Sequence, residues 1–237
     1  MDIYALRNKY LPKQEKLKNK KFKSLLNLLL ETKYVYHFDW LGVPTIQFPS
    51  DLIVIQEILY KYKPDVVIET GVAHGGSLLF YSSILSLFKK SFKVVGIDIK
   101  IKNKNKKNIL SSNLSKNIQL FESSSTDKNT FKKILKITKN KKVLVILDSN
   151  HSNAHVLEEI QMYSKLIKKN GYLIVMDTVI EFIKRKYNNK NRNFSIGNSP
   201  FTAVQKFLRT NNKFKVDKLY ENKAIISSGI GGFLKRV

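Results

Sequence analysis

The residues Glu69-Thr70-Gly71-Val72-Ala73-His74-Gly75-Gly76-Ser77 follow a short β-branched run and have the composition of a ligand loop. Gly71 permits a tight turn, and Gly75 and Gly76 let a ligand approach the backbone before a helix that begins at Ser77. The spacing is not the dinucleotide G-x-G-x-x-G, and no Gly-Lys-Ser/Thr follows to make a Walker phosphate loop. Asp98 ends the next β-branched run, 22 residues after Gly76, the position from which a carboxylate holds two ribose hydroxyls. An acid that opens the loop suits a cationic ligand better than a pyrophosphate, so Glu69 can meet the amino or sulfonium charge of S-adenosylmethionine. Gly71, Ala73, His74, Gly75 and Ser77 would line the same cofactor, and Ser125 and Asp127, in Ser123-Ser124-Ser125-Thr126-Asp127, would stand near its adenine. Taken alone, Glu69 could equally cap a helix or pair with a lysine.

Further along, Asp148 and Asp177 close two more apolar runs. If those runs are neighbouring strands, the two carboxylates can share one hard cation such as Mg²⁺ with waters and a substrate diol, or act as helix caps or substrate ligands without metal. Asp148 also borders the cofactor on this reading. His151 lies three residues beyond Asp148, and an imidazole there suits a base that takes a hydroxyl proton during methyl transfer. His155 would start the following helix. His37-Phe38-Asp39 formally matches part of an iron facial triad, but such triads need a β-barrel-like setting that the rest of the chain does not provide.

The elements that must position these groups are legible as alternation. Val66 to Glu69, Val94 to Asp98, Ile118 to Glu122, Val143 to Asp148 and Tyr172 to Asp177 are short and apolar throughout, with helical stretches at Leu78 to Phe88, Lys104 to Leu110, Thr130 to Ile137 and Val156 to Ile167 between them. Strands apolar on both faces and separated by helices make a parallel sheet, hence an α/β doubly wound αβα sandwich. Each of these five runs ends in an acid, and in such a sheet the carboxyl ends form one rim where a ligand crevice lies. Asp51 is placed to cap a helix that ends at Lys63-Pro64, and Ser199-Pro200 to start another. Phe214 to Val216 and Ala224 to Ile226 read as the last two strands, with Gly229 to Phe233 as a glycine-rich closing segment able to join a subunit contact.

Composition bounds the rest. A chain of 237 residues with 43% hydrophobic residues suits one α/β domain with an extension, and no apolar run reaches the length needed to span a bilayer. The absence of cysteine removes disulfides and thiolate zinc sites, and the start lacks the regions of a secretory signal, so a cytoplasmic protein is expected. The net charge of +25 raises nucleic-acid methylation as an alternative, but 38 of the 43 basic residues are lysine and asparagine is abundant beside it, with 21 residues, which points to compositional bias more than to a designed phosphate surface. Residues 1–33 read as a basic amphipathic helical extension that packs on the domain, on a second subunit in a homo-oligomer, or as a peripheral contact on a membrane surface. The lysine-rich segment 184–192 would be a solvated loop or a lid over the acceptor.

Four motifs fall in order: Trp40-Leu41-Gly42-Val43-Pro44, then Pro64 to Ser77, then Leu147-Asp148-Ser149-Asn150-His151, then Gly197-Asn198-Ser199-Pro200 before Ala203-Val204. Together, over residues 34–237, they closely resemble the cephalosporin hydroxylase family. Despite its name, that family has the fold of class I S-adenosylmethionine-dependent methyltransferases and is related to rhamnosyl and other sugar O-methyltransferases. The resemblance implies a Rossmann-like domain at 34–237 with a mostly parallel seven-stranded sheet, S-adenosylmethionine as cofactor, and O-methylation of a hydroxyl on a sugar, glycan or small natural product. It implies a metal site at Asp148 and Asp177 and a base at the offset of His151. Members can carry Glu-Asp where this chain has Met176-Asp177, so the metal site is short of one carboxylate, and a non-catalytic protein of the same fold is the remaining alternative.

Overall fold

The computed structural model describes residue 3, residues 20–183 and residues 193–237. The lysine-rich segment 184–192 lies outside the described residues, as does most of 1–19.

Ahead of the main sheet come helix α1 (Lys20–Glu31), a 3-10 turn at Tyr34–His37, and a two-residue antiparallel ribbon of β1 (Asp39–Trp40) and β2 (Val43–Pro44). Helix α2 (Pro49–Tyr62) starts from Phe48 with Pro49 in its first turn, where a missing amide hydrogen costs nothing, and stops at Lys63 in a left-handed conformation. The chain then alternates: β3 (Val66–Thr70), α3 (Gly76–Ser86), β4 (Lys93–Asp98), α4 (Asn103–Leu110), β5 (Ile118–Glu122), α5 (Lys128–Thr138), β6 (Val143–Leu147), α6 (Asn153–Tyr163) and β7 (Tyr172–Val175). It closes with α7 (Pro200–Thr210), β8 (Phe214–Val216), α8 (Lys218–Lys223) and β9 (Phe233–Arg236).

The seven-stranded sheet has the order β5-β4-β3-β6-β7-β9-β8; β3 to β7 run parallel and β9 is antiparallel to both neighbours. This is the class I methyltransferase fold. Every residue of β3, β6 and β7 is buried, as expected of strands covered on both faces. Alternate side chains divide between two cores. Val67, Leu144 and Ile174 pack with Ile55, Leu59 and Leu78 on one face, and Val66, Val145 and Leu173 pack with Ile160, Val204 and Phe207 on the other. The order of strands reverses between β3 and β6, so the crevice at their carboxyl ends is the switch point where such sheets bind ligands.

Three local expectations are corrected. Ala224 to Ile226 is not a strand: Ala224 is the C-terminal cap of α8, and the inserted last strand is Phe233–Arg236, two of whose four residues are charged. Glycines make that insertion possible, because Val175 donates its amide hydrogen to the Gly232 carbonyl at 2.9 Å and a Cβ on Gly232 would collide with the Val175 carbonyl. Asp51 does not cap α2; it lies within the first turn, fully buried, and reaches Ser228 instead. Helix α3 begins one residue earlier than expected, at Gly76, with Gly75 as its left-handed cap.

Helix α1 packs on the domain through Phe22 and Leu26, which join Phe48, Val179 and Ile230 in a third apolar cluster, while Leu25 and Leu28 face outward. Among the described residues, no helix is long and apolar enough to cross a membrane.

Candidate active site

The loop after β3 is built around two left-handed glycines. Gly71 has φ 88° and its Cα abuts the Asp148 backbone, so a side chain there would overlap the Asp148 carbonyl. Gly75 has φ 91° and lies against Ile109, while Gly76 abuts the Val43–Thr45 segment. Ala73 also has positive φ, at 46°, and its carbonyl accepts a hydrogen bond from the buried Asn105 side chain at 2.7 Å. Asp98 fixes the loop from the next strand: its Oδ2 accepts from the Val72 amide at 2.8 Å and the Ala73 amide at 3.2 Å, and its Oδ1 accepts from Lys100 N at 3.1 Å.

A cavity of about 1230 Å³ opens over this rim. Its lining includes Gly71, Ala73, Asp98, Ser124, Ser125, Asp148, Ser149 and His155 from the sheet rim. It also includes apolar side chains, Leu30, Val35, Tyr36, Ile46, Phe48 and Phe194 among them, drawn from α1, the Tyr34 to Pro49 loop and the flank of α7. A small cavity of about 40 Å³ lies between Pro44–Gln47 and Gly71–Ser77, and His74, Gly75 and Ser77 line it.

In the lining of the same cavity, Asp148, His151 and Asp177 each offer one ligand atom, all within 4.8 Å of one another. His151 Nε2 lies 3.0 Å from Asp177 Oδ2, and the Phe194 ring is 5.0 Å from the imidazole between centroids. Burial, then the neighbouring charges of Asp177 and Glu69, hold the Asp148 carboxyl well above the usual carboxylate range. Crowded, like-charged oxygens beside an imidazole are the donor set of a hard or borderline divalent ion, so the residues present fit a cation. Met176 does not detract from this arrangement: its side chain is buried in the apolar core with Phe233 and Ile174, so it neither enters the cluster nor crowds it.

The structure places the other sequence candidates less uniformly. Glu69 is 1% exposed and lines neither cavity; its carboxylate accepts from Ser77 Oγ at 2.6 Å and Tyr81 OH at 2.8 Å, so it braces the loop from behind. Burial pushes its pKa up to about 7. Asp127 is the N-cap of α5, accepting from Thr130 N at 2.7 Å, and it too lines neither cavity, a correction to its placement beside an adenine. Ser125 does face the large cavity, with its Oγ 3.0 Å from His155 Nε2. His37 is exposed against the Thr32 carbonyl, and neither it nor Asp39 reaches the cavity, which removes the facial-triad alternative.

Several contributors had no signal in the sequence. Gln47 is buried and close enough to Asp148 and Tyr81 to lower the pKa of both by hydrogen bonding. Glu159, fully buried on α6, accepts from Ser149 Oγ at 2.8 Å and sits 3.7 Å from His155, whose pKa it raises. A glutamate in an amphipathic helix reads as solvent-facing unless its partners are known, and here they come from the loop after β6.

Comparison with known proteins agrees with this architecture. The family model for rhamnosyl O-methyltransferase/CmcI matches residues 32–237. A rhamnosyl O-methyltransferase of Mycobacterium bovis is 32% identical over 212 residues, covering 88% of this chain and 80% of the relative, and its Mycobacterium leprae counterpart is 33% identical over 142 residues, 59% of each. Among solved structures, CmcI in an apo form superposes with a TM-score of 0.63 at 20% identity over 85% of this chain and 77% of that one, and CmcI with Mg and S-adenosylmethionine with a TM-score of 0.59 at 19% identity and the same coverage. With the switch-point crevice, the glycine loop and the match over residues 32–237 in agreement, the chain belongs to the rhamnosyl O-methyltransferase/CmcI family.

Proposed function

We propose that this protein is an S-adenosylmethionine-dependent O-methyltransferase acting on a sugar hydroxyl, in a glycan or in a small glycosylated molecule, with Mg²⁺ assistance. The observation that carries the reading is the clustering of Asp148, His151 and Asp177 in the lining of the cavity that the glycine loop and Asp98 also line. The family of rhamnosyl O-methyltransferases, and the likeness to CmcI with Mg and S-adenosylmethionine, support the same assignment.

The bound cofactor supplies an electrophilic methyl group on a positively charged sulfur. Gly71 and Ala73 leave room for it against the backbone, Asp98 offers its carboxylate to ribose hydroxyls, and Ser124, Ser125 and His155 offer polar edges to the base. A cation held by Asp148 and Asp177 would lower the proton affinity of a coordinated hydroxyl. His151 receives the acceptor proton at its imidazole as the oxygen attacks, and Asp177, 3.0 Å away, orients the ring and stabilises its positive charge. Val35, Phe48 and Phe194 exclude water from the reacting centre, which strengthens each of these interactions.

Nucleic acid is the alternative acceptor raised by the net charge of +25: Lys33 is the single lysine or arginine among the described lining residues, and the basic segment 184–192, between the lining residues Ile183 and Asn193, lies outside the described residues.

Calorimetry with S-adenosylhomocysteine, followed by methyl-transfer assays on rhamnosides with and without Mg²⁺, tests the assignment. Binding of the cofactor product and methylation of a glycoside hydroxyl are expected. Absence of any cofactor binding by folded protein would overturn it.

A further inference from the structure

Asp51 is the feature that the proposed chemistry leaves unexplained. It is fully buried, sits in the first turn of α2 without capping it, and is bonded to a residue 177 positions away. A lone buried carboxylate costs several kcal/mol of solvation in general, so its presence calls for a task that a neutral residue would not be needed for.

Following its hydrogen bonds leads to the cation cluster. Asp51 Oδ2 accepts from Ser228 N at 2.8 Å and from Ser228 Oγ at 3.0 Å. The Ser228 carbonyl in turn accepts from Val179 N at 3.0 Å and from Thr178 Oγ1 at 3.1 Å. Thr178 and Val179 are the residues directly after Asp177, whose φ of 53° lies in the left-handed region that a residue with a Cβ enters only when its surroundings hold it there. Asp177 then reaches His151 at 3.0 Å. One side chain on α2 therefore fixes, through Ser228, the turn that aims a carboxylate at the reacting centre.

We infer that Asp51 is a positioning residue for Asp177, and through it for His151 and any cation bound beside them. This rests on the proposed roles of Asp148, His151 and Asp177. The Ser227 side chain and the two Ser228 donors offset part of the desolvation of Asp51, and the bonds carry geometry to a site whose Asp177 and Asp148 carboxylates also feel the charge of Asp51 through space. The mechanism predicts that an uncharged acceptor of the same shape can replace Asp51, because a single oxygen receives both donors.

The test compares Asp51→Ala, Asp51→Asn and Thr178→Val with the unaltered protein by three measurements: the imidazole resonances of His151 at fixed pH without metal, Mg²⁺ affinity by calorimetry, and affinity for S-adenosylhomocysteine. Asp51→Ala is expected to move the His151 resonances and weaken Mg²⁺ binding by about tenfold or more, the usual effect of removing an outer support of a metal ligand. Cofactor-product affinity should stay within about twofold, because the glycine loop and Asp98 are untouched, an outcome that general unfolding would not give. Asp51→Asn should restore both properties. Thr178→Val removes one bond of the relay, keeps the side-chain shape, and should move the same resonances in the same direction to a smaller extent, which keeps the test decisive if Asp51→Ala does not fold. Unmoved His151 resonances in folded Asp51→Ala or in Thr178→Val, or an Asp51→Asn protein that behaves as Asp51→Ala, would overturn the inference. If unaltered protein binds no Mg²⁺, the cation reading fails by itself, and the metal-free resonances still decide the role of Asp51.

Discussion

Glu69 exchanges water for two hydroxyl donors, Ser77 and Tyr81, and the exchange leaves its carboxyl with a raised pKa of about 7 against an ordinary 4.5. The folded protein thus keeps a proton that the unfolded chain releases from about pH 4.5 upward, so this group's contribution to stability is largest below that range and declines as pH rises to about 7, after which it is constant. Asp51, raised to about 6, acts in the same direction over a narrower window. Denaturant melts of cofactor-free protein are expected to show stability falling between about pH 4 and 7, and Glu69→Gln should flatten that slope. A pH profile that rises over this range would contradict the assigned burial. His151→Ala should lower kcat by about 10²- to 10⁴-fold while cofactor binding persists, the signature of a lost proton acceptor; a comparable loss in cofactor affinity would instead make His151 a binding residue. At this scale the sequence was a partial guide. Asp148, His151, Asp177 and Asp98 were findable because they end strands or follow them closely. Asp127 was misplaced because a carboxylate that caps a helix and one that faces a ligand look alike in a serine-rich loop, and Asp51 was misread because its partner is far away in the chain.

The elements that position the site were legible where burial imposes its pattern on both faces, as it does in β3, β6 and β7. They were illegible where the sheet turns antiparallel. Ala224-Ile225-Ile226 carries the apolar signature of a strand without the role, and Phe233-Leu234-Lys235-Arg236 has the role with two charges, because burial falls off along β9 from the buried Phe233 and Leu234 to the half-buried Lys235 and Arg236. The glycine loop is the most demanding element. Gly71→Ala must place a Cβ at φ 88° and against the Asp148 carbonyl, so a loss of about 1–3 kcal/mol and of cofactor binding is expected from melts and calorimetry. A variant that binds normally would show that the loop relaxes freely. Ser199 is a second such point: it caps α7 in a reciprocal box with Thr202 and donates to Glu181 Oε2 at 2.6 Å, tying α7 to the turn that follows Asp177. Ser199→Ala is expected to cost about 1 kcal/mol or more of stability by the same measurement.

Across the whole molecule, a basic exterior surrounds an acidic reaction rim. Among the described residues, the cavity wall holds Asp98, Asp148 and Asp177 with Lys33, although the chain carries a net charge of +25. Attraction of the molecule for polyanions and turnover of its acceptor are therefore separable. Binding to RNA, where it is found, should weaken steeply with added salt, while the KM for an uncharged glycoside should change by less than about twofold over the same range. A parallel salt dependence of both would tie acceptor recognition to the surface charge. The N-terminal helix belongs to this scale as well, since Phe22 and Leu26 join the apolar cluster of Phe48, Val179 and Ile230 and Leu30 lines the cavity.

The insertion of β9 between β7 and β8 also dictates an order of assembly. Strands β3 to β7 can pair with one another as they emerge during synthesis, but β8 pairs only with β9 and so has no place in the sheet until the later-made β9 joins it to β7. The turn that ends in β9 contains Ser228, whose carbonyl anchors the residues after Asp177. A nascent chain can thus complete its glycine loop well before the turn carrying Asp177 is locked beside Asp148 and His151, so this cluster is among the last features to form in folding.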